Sequence, residues 1–87
     1  MKAVWKYKLR LHCDIEMPKD AEILDVQKQD DDIVMWALVD ITAPTEIRRF
    51  TIIMTGEKFD DIDMFYISTV TGIKGWIVGH VFEIWET

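Results

Sequence analysis

Over the first thirteen residues apolar and polar side chains alternate. Trp5, Tyr7, Leu9, Leu11 and Cys13 fall on one parity, Lys2, Lys6, Lys8, Arg10 and His12 on the other, with Val4 breaking the pattern. Successive side chains of a strand point to opposite faces, so the pattern predicts a strand with one oily and one cationic edge. Asp14 to Asp20, which contains Pro18, reads as a short connection with one extended turn around Ile15-Glu16-Met17. Alternation resumes over Ile23 to Gln29, where Leu24 and Val26 oppose Asp25 and Gln27. Asp30-Asp31-Asp32 then predicts a hairpin turn, because Asp side chains hydrogen-bond nearby backbone N–H groups. Ile33 to Val39 is apolar on both parities, the mark of a strand covered on both faces in mid-structure or under an oligomer contact.

Ile41 to Glu46 reads as a loop around Pro44, and Arg48 to Thr55 as a strand with Phe50, Ile52 and Met54 inward, closed by Gly56. Lys58 to Met64 is acidic and irregular, with room for a single helical turn. Phe65 to Thr71 is rich in aromatic and β-branched residues, which suit a pleated surface. Gly72-Ile73-Lys74-Gly75 predicts a four-residue hairpin turn, glycine supplying positive φ. The last strand, Trp76 to Trp85, is two-sided, and Gly79 within it marks a bulge or a close backbone approach. Nowhere do apolar residues recur at i, i+3, i+4, i+7, so no long amphipathic helix is available. The expected class is all-β: a small antiparallel barrel or sandwich of six to seven strands.

Length adds that residues 1–87 form a single domain. Hydrophobic residues make up 49% of the chain, including four Trp, four Phe and two Tyr. A domain of this size buries only about two-thirds of its unfolded surface, so part of that load is expected to reach the outside at a subunit or partner interface. Trp36 and Trp85 are the interface candidates. One cysteine cannot form an intrachain bridge, which points to a reducing, cytoplasmic setting. The charged N-terminal segment holds neither the apolar stretch of a signal peptide nor a membrane span, so no membrane association is expected.

The formal net charge of −6 is unevenly placed. Residues 1–13 hold four Lys/Arg and no acid, leaving six basic against sixteen acidic over residues 14–87. An acidic body argues against nonspecific binding to nucleic acid, whose affinity comes chiefly from neutralising phosphates.

Catalytic chemistry finds little to work with: one Ser (Ser68), one Cys (Cys13), two His and no Asn. Cys13 lies on the oily parity of the first strand, where a thiol acts as a small hydrophobe. His80, between Val78 and Phe82, reads as a core or interface imidazole with a hydrogen-bond partner. His12 and Cys13 are adjacent and face opposite ways on a strand, and no metal-ligand spacing is present, so no metal and no cofactor is expected. The Asp30–Asp32 and Asp60–Asp63 groups lack the spacing of a calcium loop. No glycine-rich phosphate loop occurs. The one candidate anion site is the cationic set Lys6, Lys8 and Arg10, joined by Arg48 and Arg49. Its competing reading is pairing with acids such as Glu83 on a neighbouring strand.

The landmarks Trp5-Lys6-Tyr7, Ile15-Glu16-Met17-Pro18, Ala21 to Gln27, Trp36-Ala37-Leu38-Val39-Asp40, Arg49-Phe50, Thr55-Gly56 and His80-Val81-Phe82-Glu83 run in order over nearly the whole chain. Together they resemble a family of short proteins encoded by tailed bacteriophages and prophages, a domain of unknown function. Members often carry Gly where this chain has Asp20, and His after the Thr-Gly where it has Glu57, so a role for that His does not carry over. The resemblance implies an intracellular phage product in the host cytoplasm, accessory to infection, with virion assembly also open. The leading expectation is a noncatalytic binding protein, not an enzyme. It would act through protein–protein contact or self-association, its partner being a second copy or a host or phage protein, with interference with a host factor as one outcome. The alternative is sequestration of an anionic small ligand such as a signalling nucleotide, held by the cationic set and stacked on Trp or Tyr.

Overall fold

The alternating segments fold into seven strands, seen in a computed structural model in which residues 1–85 are described. They are β1 (Lys2–Leu9), β2 (His12–Pro18), β3 (Glu22–Gln29), β4 (Asp32–Asp40), β5 (Thr45–Met54), β6 (Met64–Ile73) and β7 (Ile77–Ile84). Two antiparallel sheets, ordered β1-β4-β3 and β2-β5-β7-β6, enclose one core. The edges of the two sheets are not hydrogen-bonded into a closed ladder, so the sandwich is the form adopted and the barrel is not. No helix occurs among the described residues, and the stretch between β5 and β6 that had room for a helical turn is irregular.

The first alternating run is two strands rather than one. The chain bends at Arg10-Leu11 and passes from one sheet to the other, as strands at sandwich corners do. Leu11 at the bend fixes the crossing: its carbonyl accepts the Ile52 N–H at 2.8 Å and the Thr51 hydroxyl at 3.2 Å. Asp14 to Pro18, read as a connection, continues as β2. Its acids face outward, Met17 is fully buried, and Pro18 ends an edge strand where its missing N–H leaves no ladder bond unmade. The actual connection is Lys19 to Ala21, with Asp20 at φ 63, a conformation glycine adopts freely.

β4 lies at the centre of its sheet, which accounts for its two apolar faces. Ile33, Met35, Ala37 and Val39 point into the core. On the outer face Val34 is also buried, and Lys6 on β1 reaches across β4 to donate to Gln29 Oε1 at 3.0 Å. The β3–β4 hairpin turns at the aspartate run, with Asp30 at φ 55. The last hairpin closes where Gly75 N–H donates to the Gly72 carbonyl at 3.1 Å. Trp76 belongs to that turn and not to β7, and is 81% exposed. Gly79 is a close approach: a β-carbon there would stand 2.8 Å from Ile73 Cδ1 and 2.9 Å from Ile52 Cγ2.

Candidate functional site

On the inner face of the four-stranded sheet one row crosses three strands: Phe50 on β5, Glu83 on β7 and Phe65 on β6. Phe50 is buried in the core. Glu83 is buried too, and its charge is met by Arg48 one row along on β5. Arg48 Nε donates to Glu83 Oε2 and Nη2 to Glu83 Oε1, both at 2.7 Å, and Nη1 donates to the Ala21 carbonyl at 2.6 Å. A bidentate carboxylate pair of this kind is strong and orientationally specific. Hydrogen bonding to Glu83 raises the Arg48 pKa above its ordinary value; burial opposes this, and the charges of Glu83, Glu46 and Asp20 add to it.

Phe65 lies beyond the reach of the core, at the β6 edge, and is 56% exposed. It faces β3, the edge of the other sheet, across an open cleft of about 290 Å³. Ile23, Leu24 and Asp25 form one wall, Phe65, Tyr66, Ile67 and Ser68 the other, and Arg48, Glu83 and Trp85 complete the lining. Each wall carries a register shift. Leu24 falls between the paired residues Ile23 and Asp25, and Ile67 between Tyr66 and Ser68, so both stand outside their ladders. Bulges on sheet edges re-aim side chains and terminate pairing, and here they do so from both sides of the same cleft. Asp25 stabilises its own bulge, accepting the Val26 N–H at 2.8 Å and the Gln27 side-chain amide at 2.7 Å.

Trp85 shares the parity of Glu83 and is placed by its N–H, which donates to the Asp63 carbonyl at 2.9 Å. Its indole stacks on Phe65 with ring centroids 5.7 Å apart and planes 12° apart, yet the residue remains 60% exposed. A shallower groove of about 330 Å³ continues past it, lined by Asp20, Ala21, Glu46, Arg48, Glu83 and Trp85.

The structure separates the residues that the sequence singled out. Trp85 lines the cleft, whereas Trp36 is half-buried on the outer face of the three-stranded sheet, opposite Lys6, so the two indoles share no surface. The five cations are dispersed. Lys6 and Lys8 lie on the outer face of β1, Lys8 paired with Asp32 at 3.2 Å. Arg10 lies at the exposed bend between sheets. Arg48 is enclosed with Glu83, and Arg49, on the opposite face of β5, meets Asp14 at 3.2 Å. His80 is half-buried on the outer face of the four-stranded sheet between the Thr55 and Thr69 hydroxyls, at 2.8 and 3.1 Å. Cys13 is half-buried against the core, its thiol 3.8 Å from the Arg10 carbonyl. Among the described residues no three His, Cys, Asp or Glu are placed to hold a metal, and no helix is long and apolar enough to cross a membrane. Sequence reasoning missed Leu24 and Phe65; the surplus of aromatics signalled that such a surface exists, but not where.

Fold and cleft define the class as a small all-β sandwich, open along one side and with exposed aromatic residues at that opening. The chain belongs to the family described as Domain of unknown function (DUF7352), whose family model matches residues 1–87. No curated protein and no solved structure matches it.

Proposed function

We propose that the chain is a noncatalytic binding domain that acts through protein–protein contact at the cleft between β3 and β6. The observation that carries this reading is the exposure of Leu24, Phe65 and Trp85 around one concave surface, with the Phe65 and Trp85 rings stacked there. Aromatic residues in a partly desolvated concavity are the usual anchors of protein interfaces, whereas an isolated exposed side chain needs no explanation. The resemblance to phage and prophage proteins supports an intracellular site of action and a host or phage protein as partner. The anion-binding alternative draws no comparable support, since its cations lie on separate faces and Arg48 is already held by a buried carboxylate.

Cross-linking in host extract, comparing wild type with Phe65→Ala and Trp85→Ala, tests the reading. Specific adducts should be lost in both variants while the melting temperature holds. Adducts that persist in both variants, or a chain that remains monomeric and unlinked in every extract, would remove the proposal.

A further inference from the structure

We propose that the cleft and its adjoining groove receive a basic, extended segment of a partner protein, one of whose Lys or Arg side chains rests on Trp85. The inference rests on the binding-domain reading and adds the chemistry of the occupant. Two features select it. The first is charge: Asp25 lines the cleft and Asp20 and Glu46 line the groove, while the one cation lining either among the described residues, Arg48, is consumed by Glu83. The Asp20 carboxylate has no hydrogen-bond or ion-pair partner among the described residues, so its charge is available to an incoming group. An incoming anion would meet the Asp20 and Glu46 carboxylates beside the groove, neither of them in an ion pair among the described residues, and an incoming cation is attracted by them. The negative face of an exposed indole draws a cation to the same place, where Trp85 borders both cavities.

The second feature is shape. The two cavities share Arg48, Glu83 and Trp85 in their linings, and their volumes of about 290 and 330 Å³ exceed what a single small cation requires. Leu24, outside its ladder on one wall and 48% exposed, leaves an apolar side chain for an extended chain, while Ile67, outside its ladder on the other wall, packs against the core.

The test uses the full chain and three short synthetic peptides that share the same alternating apolar residues and carry Lys, Gln or Glu between them. Binding is followed by NMR at the Trp85 indole N–H, in wild type, Asp20→Asn and Glu46→Gln, at two salt concentrations. The Lys peptide should shift the Trp85 signal and bind roughly tenfold more tightly than the Gln peptide, with the Glu peptide weaker still. Both charge-removing variants should weaken the Lys peptide and flatten its salt dependence without lowering the melting temperature. If the Gln or Glu peptide binds as well as the Lys peptide, or if the variants leave Lys-peptide affinity unchanged, the occupant is not basic and only the cleft reading survives. If no peptide moves the Trp85 signal, the inference fails, and the extract cross-links lost in Phe65→Ala and Trp85→Ala decide the cleft reading separately.

Discussion

Arg48 and Glu83 grip each other through two parallel 2.7 Å hydrogen bonds at the margin of the core, and the third arm of Arg48 reaches the Ala21 carbonyl just ahead of β3. The pair therefore ties the four-stranded sheet to the chain entering the three-stranded one. It also floors both cavities beneath Trp85. Arg48 lies 5.9 Å from the centroid of the Phe50 ring, so its charge is held against an aromatic face as well as a carboxylate.

Removing one partner should be far worse than removing both. Glu83→Ala strands a mostly buried guanidinium and is expected to lower stability by about 3 kcal/mol. Arg48→Met combined with Glu83→Leu replaces the pair with apolar volume and should recover most of that loss. Urea unfolding of the single and double variants checks this; equal losses in both would show that apolar packing cannot stand in for the pair.

Gly79 is required by contact rather than by backbone conformation. A methyl group there would press on Ile73 Cδ1 and Ile52 Cγ2, and Ile52 is fixed in the core at 2% exposure. Gly79→Ala should destabilise by about 1–3 kcal/mol. Adding Ile73→Val, which removes the nearer of the two obstructing atoms, should restore part of the loss in thermal unfolding. A double variant no more stable than the single would place the obstruction at Ile52 alone.

What could be read from the residues was local. The β3–β4 and β6–β7 hairpins announced themselves by aspartate and glycine turns, and β4 by apolar residues on both parities, because such signals act within a few residues. The crossing at Arg10-Leu11 gave no sign, since Tyr7 and Leu9 before it and Cys13, Ile15 and Met17 after it keep the same inward parity across the bend. Pro18 suggested a connection over Asp14 to Asp20, although it stands at the end of an edge strand where proline is tolerated. The cleft was less legible still. Its walls come from strands in different sheets, and the shifts at Leu24 and Ile67 displace the alternation by one residue where the site forms. Exposure of Trp85 was anticipated from composition, but partial cover of Trp36 depends on β1 and β3 flanking β4, which no local pattern encodes.

Tyr7 points inward from β1, opposite Met35, and its buried hydroxyl has no hydrogen-bond partner among the described residues. Burial also raises its pKa above the ordinary 10.0 by disfavouring the phenolate. Tyr7→Phe keeps the ring and deletes the unpaired group, so stability near neutral pH should be unchanged or improved by up to about 1 kcal/mol. The alkaline limb should change as well. With the folded pKa raised, the unfolded chain loses its proton first, so wild-type stability falls as pH rises past 10, and the variant should fall less steeply. A clear loss of stability in Tyr7→Phe at neutral pH would mean that the hydroxyl is satisfied in solution.

Asp40 ends β4 and organises the turn that follows it. Its Oδ1 accepts the Thr42 hydroxyl at 2.7 Å and the Thr42 N–H at 3.0 Å, and lies 3.4 Å from the Met1 ammonium. Led by the Thr42 hydroxyl, these contacts hold its pKa at about 2, against an ordinary 3.8. A depressed carboxyl pKa stabilises the fold above the unfolded value, and the benefit disappears as pH falls from near 4 toward 2. Asp40→Asn should therefore be less stable than wild type at pH 7, and the difference should close near pH 2. Thr42→Val removes the leading hydrogen bond and should move the Asp40 midpoint upward in a carboxyl-detected NMR titration. A midpoint that stays near 2 in Thr42→Val would assign the depression to the main-chain N–H and the terminal ammonium instead.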